Sequence, residues 1–440
     1  MMRRFLHGIF CVLIVGGPSG VSFLWADDAP PPAGTTRAAP TTTRAATPRF
    51  RSGRIRWWER IPPPIVKRIA IPDFPGAHAI WGATGQDRRG HIWFGVSAAA
   101  AVELPSARLF EFVPATGELI NRGDVVGELK RCGLHRPGEG QMKIHSKIVQ
   151  ADDGHLYFAS MDEQNEDLRS LKLPTWGGHL WRLRMPENKW EHLLTTPEPL
   201  MAMAGAGRCV YALGYFGHVL YQYDCKTGRI RSVKVGAVGA HISRNFFTDR
   251  RGHVYVPRVK AAAGPASATL VEFDSSLREI AETPMDQYIR GHPTHTHGII
   301  GFQPLKDGSI AFLTHTGCLY LLKPSADGPA KLTSLGWFYP RGSCYTPSLF
   351  TDPDNRRLMG LAERYGRYDW VIYDLELRQS AVVAFTLRGP KPLWHRRTLL
   401  YGSVVRDKAG NFYVGGMAPR EDEGFEPILL QVQPVPSRQR

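Results

Sequence analysis

The sequence predicts an all-β protein, a seven-bladed β-propeller in which seven four-stranded sheets form a ring. Three observations predict it: a turn motif recurs seven times, its copies are regularly spaced, and no segment of 11–18 residues has the periodicity of an amphipathic helix. The composition is that of a globular protein, with 43% hydrophobic and 22% charged residues in a chain of 440.

Each repeat consists of an apolar strand, an Asp-x-x-Gly turn or a variant of it, and a second strand that carries an aromatic residue. Glycine or asparagine at the turn allows a positive φ, and the aspartate caps the turn. The seven copies start at Asp87, Asp152, Ala206, Asp249, Lys306, Asp352 and Asp407. The glycine or asparagine of each turn lies 45 to 64 residues after that of the preceding turn, so seven units fill residues 61–436. The pattern is similar to that of NHL and streptogramin-lyase propellers.

The N-terminus has the features of an export signal over residues 1–26: two arginines, an apolar run and a small-residue cleavage site. An uncleaved membrane anchor is the alternative, which the Gly-Gly-Pro-Ser-Gly break at 16–20 disfavours. Residues 27–52, rich in Pro, Ala, Thr and Arg, predict a disordered linker. The propeller is predicted over 53–436 with a tail at 437–440. We therefore expect a secreted or periplasmic protein without a membrane span in the mature chain.

Charge and cysteines constrain the partners and the chemistry only loosely. The net charge of +15 favours an anionic partner, although the first 60 residues alone hold nine arginines and three acids. Cys209 and Cys225 flank a predicted hairpin, where they form either a cross-strand disulfide or two buried thiols. A strand from 427–432 is predicted to pair with one from 55–71 and thereby to close the ring.

The start of each inner strand should face one mouth of the central channel. Counting about 9 to 11 residues back from each turn glycine, or from Asn355 in blade six, places six residues there: Trp81, His145, His241, His297, Tyr345 and Tyr401. In blade three the corresponding position falls to Met201 or its neighbours. The loops between second and third strands open on the same side, and they add His315, Arg364, Tyr365, Arg367 and Tyr368. Histidines that follow turn glycines, such as His91 and His253, are expected to be hairpin residues without chemistry.

The segment Gly291–Gly298 contains three histidines at close spacing. On an extended chain His295 and His297 point to the same side, because side chains alternate with period two. Their imidazoles can hold a divalent ion such as manganese or zinc, with His241 as third ligand and His292 as fourth.

This rhythm resembles the manganese site of oligogalacturonate lyases, where His292 takes the place of a glutamine and His295 and His297 match a histidine pair. The resemblance also places His241 on a histidine about one blade earlier. Blade three departs from the family, because Leu200–Met203 offers no basic histidine. Ulvan lyases, propellers with His, Tyr and Arg in the channel, are a second family that the sequence resembles.

The expected activity is β-elimination in a uronate-containing glycan, in which a metal or arginine neutralises the carboxylate and a base removes H5. Catalytic candidates are His145, Tyr345, Arg244 and Arg364, and substrate-binding candidates are Trp81, Tyr401, Tyr365 and Arg367. The expected partner is an acidic polysaccharide or oligosaccharide, bound by a monomer, and the export signal disfavours nucleic acid. The alternative is a non-catalytic propeller that binds a glycan or protein at the channel mouth.

Overall fold

Seven sheets follow one another along the chain, and each forms one blade of a β-propeller. The sheets are antiparallel except for one short parallel pairing in the last blade. The computed structural model describes residues 57–58, 61–239, 241–260, 267–288, 297–364, 367–383, 386–387, 398–420 and 424–434, without the side chains of 386–387 and 402–404. The predicted signal (1–26), linker (27–52) and tail (437–440) lie outside these residues. Within the described ranges no helix is long and apolar enough to cross a membrane.

In blades 1 to 6 the strands run in chain order from the inner to the outer edge, whereas in blade 7 the strands that come first in the chain lie outermost. The first strand, β1 (Ile65–Ile69), belongs to the last blade. Blades 1 to 3 comprise β2 (Ala77–Ala79), β3 (Thr84–Gln86), β4 (Ile92–Ala98), β5 (Arg108–Val113) and β6 (Glu118–Asp124); β7 (Lys143–Ile144), β8 (Val149–Gln150), β9 (Leu156–Met161), β10 (Gly178–Arg184) and β11 (Lys189–Thr196); and β12 (Leu200–Ala206), β13 (Cys209–Gly214), β14 (Val219–Asp224) and β15 (Ile230–Lys234).

The remaining blades repeat the arrangement. Blades 4 to 7 comprise β16 (Phe247–Thr248), β17 (Val254–Lys260), β18 (Ser267–Phe273) and β19 (Glu279–Pro284); β20 (Ile299–Pro304), β21 (Ile310–Thr314), β22 (Cys318–Lys323) and β23 (Lys331–Trp337); β24 (Phe350–Thr351), β25 (Arg357–Arg364), β26 (Arg367–Asp374) and β27 (Gln379–Val383); and β28 (Thr386–Leu387), β29 (Leu399–Arg406), β30 (Phe412–Pro419) and β31 (Phe425–Gln433) with β1. The all-β, seven-bladed prediction is confirmed.

The ring closes in blade 7, where β1 pairs antiparallel with β31 from Ile65 opposite Gln433 to Ile69 opposite Leu429. The closure combines the two ends of the folded region in one sheet, as the sequence predicts. One short helix, α1 (Val125–Arg131), follows blade 1. The Asp124 carboxylate caps it by accepting a hydrogen bond from the Gly127 amide at 2.9 Å.

The core lies between neighbouring blades rather than at one centre. Blades 1 and 2 bury Trp93 and Trp181 in a common cluster, and blades 4 and 5 bury Phe247 and Phe312 in another. Blades 6 and 7 meet where Phe350 stacks on Phe412 with ring centroids 4.2 Å apart. Each blade therefore depends on both neighbours for burial of its apolar faces.

The two cysteines of the predicted hairpin do not form a disulfide. Cys209 lies opposite Asp224, so the adjacent Cys225 faces the other side of the sheet. Accordingly, Cys209 packs between blades 3 and 4, whereas Cys225 packs between blades 2 and 3. The described cysteines are free thiols, so the disulfide alternative is wrong, and Cys209 and Cys225 are partly buried rather than fully buried as the second alternative had it.

The turn aspartates organise a polar network that recurs around the ring. In blade 4 the Asp249 carboxylate accepts hydrogen bonds from the backbone amides of Arg251 and His253 and from the Tyr255 hydroxyl at 2.9 to 3.0 Å. The Tyr255 hydroxyl and His253 Nδ1 also contact Glu272. Asp87 and Trp93 in blade 1 and Asp407 and Tyr413 in blade 7 repeat the contact between turn and strand. The recurring Asp-x-x-Gly signal thus has a structural cause.

We predict that Asp249→Ala lowers the free energy of unfolding by about 2 to 4 kcal/mol, because it leaves the backbone amides of Arg251 and His253 without their side-chain acceptor and removes one of the two carboxylates that pair with the Arg251 guanidinium. Urea denaturation followed by circular dichroism measures the change. The matched control is Asp354→Ala, at an exposed turn position, for which we expect less than about 0.5 kcal/mol. Equal losses in the two variants would contradict the proposed role of the network.

Candidate site at the channel mouth

Six of the residues predicted to face the channel mouth lie at or before the innermost strands of six blades. The inner strand is interrupted at two of these positions, because Trp81 falls between β2 and β3 and His145 between β7 and β8. Irregular backbone here allows the side chains to turn into the channel instead of alternating between blade faces. The six residues are Trp81, His145, Arg244, His297, Tyr345 and Tyr401.

Arg244 connects opposite sides of the ring. Its guanidinium donates a hydrogen bond to the Trp81 carbonyl of blade 1 at 3.3 Å and lies 4.7 Å from the ring centroid of Tyr401 in blade 7. Its backbone amide donates to the His297 carbonyl at 3.0 Å. Among the described residues no carboxylate is within ion-pair distance of this guanidinium, and its buried Nε–H has no hydrogen-bond acceptor. The cation is thus held by carbonyl and aromatic contacts.

Aromatic side chains form one wall of the site. The Trp81 and Tyr401 rings lie 4.5 Å apart, centroid to centroid, at 41° to one another. The Lys143 ammonium lies 4.6 Å from the Trp81 ring centroid, and it forms an ion pair with Glu163 in the blade-2 insertion. This insertion, which joins β9 to β10, is therefore attached to the channel wall.

Three histidines of the site are neutral near pH 7. Burial, followed by the positive charges of Arg244 and Lys143, holds the pKa of His145 well below its usual range. Burial and then Arg244 also lower the pKa of His297, and the same two causes lower the pKa of His315 to about 4. These rings provide lone pairs and N–H donors without adding positive charge.

Hydrogen bonds fix complementary tautomers in two of these rings. The Nδ1–H of His145 donates to the Met201 carbonyl at 3.1 Å, which leaves the lone pair on Nε2. The Nδ1 of His315 accepts from the backbone amide of His297 at 2.9 Å, so its proton resides on Nε2. His145 thus offers an acceptor and His315 a donor.

Tyr345 offers a second donor. Its hydroxyl is buried and has no hydrogen-bond partner in the part of the chain that the structure describes. Burial raises the pKa of this phenol, Arg244 opposes the rise, and Glu363 adds to it. Its ring lies 5.3 Å from that of His315 and 6.1 Å from that of His297, centroid to centroid. The phenol therefore keeps its proton and stands beside both imidazoles.

The other predicted site residues make contacts of their own or fall outside the described residues. His241 contacts the Tyr288 hydroxyl through Nε2 at 3.0 Å and packs against His218, whereas His297 packs against His315. Arg364 lies 5.0 Å from the ring centroid of Tyr339. Arg367 is exposed at the β25–β26 hairpin. His292, His295 and Tyr365 are outside the described residues, so the four-histidine metal centre stays a prediction.

Sequence reasoning missed Lys143 and Lys147 and left His315 unassigned. Lys143, His145 and Lys147 occupy every second position of the inner segment of blade 2, a spacing in the sequence that could have drawn attention to all three. The Lys147 ammonium donates to the Gly82 carbonyl at 3.2 Å, and burial followed by the charge of Arg244 lowers its pKa to about 7. Lys147 also lines a cavity of about 480 Å³ at the far end of the channel, where the inner strands reach their turns.

A second arrangement of ligand-type side chains lies in blade 1. The ligand atoms of Asp87, His91 and Glu111 are within 4.8 Å of one another, so these residues could hold a metal ion. Arg89 already donates to both carboxylates, at 2.8 and 2.9 Å, and Arg122 pairs with Glu111. Blade 4 repeats the network at Asp249, Arg251, His253 and Glu272. The pairing of these carboxylates with arginines, repeated in blade 4, therefore accounts for the proximity of Asp87, His91 and Glu111 without a metal ion.

Comparisons with known proteins support the fold. The chain is similar to the extracellular domain of a protein described as a hybrid two-component system from B. thetaiotaomicron, with 14% identity, a TM-score of 0.50, and coverage of 84% of this chain but 39% of that one. The Cps50 (Swd1) β-propeller domain of Myceliophteria thermophila aligns over 83% of this chain and 99% of its own, with 10% identity and a TM-score of 0.49. No family model and no curated protein matches the sequence. The class of protein is the β-propeller, as the seven sheets of the structure itself define it.

The channel histidines make stability depend on pH. Because the folded-state pKa of His315 is about 4, below its unfolded value of about 6.5, the unfolded chain binds the extra proton first as the pH falls. We predict that the free energy of unfolding decreases between about pH 6.5 and pH 4, with up to about 3 kcal/mol from this residue. Urea denaturation across this range should show a smaller decrease for His315→Gln; identical slopes for variant and wild type would contradict the assignment.

Proposed function

We propose that the channel mouth binds the carboxylate of an acidic sugar at Arg244 and cleaves the adjoining glycosidic bond by β-elimination. The observation that carries this proposal is a guanidinium with no acidic partner among the described residues, set among neutral histidines and a protonated tyrosine. A uronate supplies the missing anion. In this proposal the protein is exported and acts as a monomer on an acidic polysaccharide or oligosaccharide.

Substrate binding would use the charge and the aromatic wall together. A charge-assisted hydrogen bond from Arg244 to the uronate carboxylate is favourable in a partly buried channel, where water screens the pair weakly. Trp81 and Tyr401 offer apolar faces to the sugar rings. The neutrality of His145, His297 and His315 favours one bound carboxylate over a cluster of several, because Arg244 is then the main positive charge facing the substrate.

The elimination follows from the protonation states. Neutralisation of the carboxylate by Arg244 acidifies the neighbouring C5–H. The Nε2 lone pair of His145 takes this proton, and the released electron pair forms the C4=C5 double bond as the C4–O4 bond breaks. The Tyr345 hydroxyl gives its proton to the departing O4, and His315 Nε2–H donates to a substrate oxygen. Proton return from His145 through solvent restores the tyrosine.

The oligogalacturonate-lyase resemblance assigns carboxylate neutralisation to a divalent ion, manganese or zinc, on His241, His292, His295 and His297. Arg244 can supply the same positive charge without an ion. The two versions differ in their response to chelator: the Arg244 version retains activity in EDTA, whereas the histidine-centred version loses it and recovers on addition of manganese or zinc.

Non-catalytic binding is the second candidate. The burial that keeps His145 neutral also makes it a weak base. A channel of this kind can hold a glycan without turnover, and the fold hosts both outcomes.

We predict that purified protein converts polygalacturonate, oligogalacturonate or ulvan to an unsaturated product, measured by ultraviolet absorbance. Arg244→Met should lower the rate by about a hundredfold or more, because it removes the charge that stabilises the developing enolate. His145→Gln and Tyr345→Phe should have comparable effects on the rate but smaller effects on binding. Lys331→Met, an exposed charge on an outer strand, is the control and should be neutral.

Product formation that is unchanged in Arg244→Met would contradict the proposed mechanism. Binding of uronate oligosaccharides that requires Arg244, without any product, would assign the channel to the non-catalytic class.

A further inference from the structure

A basic depression lies between blades 3 and 4 on the face opposite the channel mouth. It has a volume of about 420 Å³, and we call it the arginine groove. Its lining includes the turns at 206–208 and 250–252, which follow the inner strands, whereas the mouth residues precede them. The charged residues that line it are Arg208, Arg229, Arg231, Arg250, Arg251 and Asp224.

The floor of the groove is a fixed polar surface. The Gln222 amide donates to the Tyr211 hydroxyl at 3.1 Å and to the Ser275 carbonyl of the next blade at 2.8 Å. These contacts join blades 3 and 4 beneath the arginines. Arg231 stands opposite Gln222 in the pairing of β14 with β15, so its side chain leaves the sheet on the same side as the floor.

The charge of the groove is only partly compensated. Arg208 pairs with Asp224 at 3.1 Å, and Arg251 pairs with Asp249 and Glu272. No carboxylate in the described part of the chain pairs with Arg229, Arg231 or Arg250. Among the charged lining residues, five arginines face one aspartate. Arg250 donates one hydrogen bond to the Lys306 carbonyl at 3.4 Å, which leaves its positive charge uncompensated. An external anion can therefore pair with three guanidinium groups whose charge no described carboxylate balances.

We propose that the arginine groove binds sulfate or phosphate half-esters carried by an anionic glycan, at a site separate from the channel. Guanidinium forks bind such oxyanions with paired N–H donors, and several forks around one depression match an oxyanion with three acceptor oxygens better than a planar carboxylate. The aromatic residue that lines the groove, Tyr211, is 1% exposed, so the groove has no platform for stacking nucleic-acid bases.

The arginine groove would therefore bind the sulfate or phosphate esters of a glycan, whereas the channel would bind its uronate carboxylate. One molecule could hold a glycan by its esters on one face while a uronate occupies the channel on the other. The proposal does not depend on catalysis in the channel.

The test measures binding of three fluorescent oligosaccharides of equal length at physiological salt: a heparin-derived sulfated one, a phosphomannan-derived phosphorylated one, and oligogalacturonate. A double-stranded DNA of similar charge is the fourth probe. The groove variant is Arg229→Ala/Arg231→Ala/Arg250→Ala. The control is Lys67→Ala/Lys189→Ala/Lys331→Ala, which removes the same charge from exposed positions outside the groove. Thermal melts establish that both variants remain folded.

We expect the groove variant to bind a sulfated or phosphorylated probe at least about tenfold more weakly than wild type, while the control stays within about twofold. Preference for one of these two probes identifies the ester. Three results would overturn the proposal: no binding of either ester by wild type, equal weakening in groove and control variants, or tighter binding of DNA or oligogalacturonate in the groove. Oligogalacturonate binding that depends on Arg244 alone leaves the groove result intact and reports on the channel.

Discussion

Closure of the ring by the pairing of β1 with β31 is the constraint on which the rest of the structure depends. A blade has two apolar faces, and each face is buried by a neighbour, so an open row of seven blades would leave its two end faces exposed to water. Pairing Ile65–Ile69 with Leu429–Gln433 makes the last blade from both ends of the folded region. It also gives both outer segments backbone partners and removes a free sheet edge.

The channel site is a consequence of this closure. Arg244 enters from blade 4, yet it contacts the Trp81 carbonyl in blade 1 and the Tyr401 ring in blade 7. Such contacts exist only when the ring is complete. The turn networks at Asp87, Asp249 and Asp407 stabilise the hairpins of three blades at the face opposite the channel mouth. The two ends of the inner strands therefore differ in role, because this end stabilises the blades. At the other end, the Arg244 guanidinium and the Tyr345 hydroxyl, which has no hydrogen-bond partner within the described ranges, face the channel.

The sequence was sufficient for the architecture because local signals determine it. The turn aspartate and glycine recur with a period that only a ring of small sheets accommodates, and counting back from each glycine reaches Trp81, His145, Tyr345 and Tyr401. The sequence was insufficient to predict which side chains of different blades contact one another. Nothing local to Arg244 indicates that it crosses the channel, and nothing near Met201 indicates that its carbonyl selects the His145 tautomer. The grouping of His241 with His297 rested on blade spacing, whereas the rings contact different neighbours, Tyr288 and His315.

The central claim is that Arg244 receives a sugar carboxylate, and the most direct measurement is the NMR signal of its buried Nε–H during titration with an oligogalacturonate. Because this Nε–H has no acceptor among the described residues, a bound carboxylate should shift the signal strongly and saturably. The shift should follow the binding isotherm measured independently, and the methyl ester of the same sugar should leave the signal unchanged. The account would be contradicted if the sugar bound with no change at this nitrogen, or if the methyl ester bound equally well.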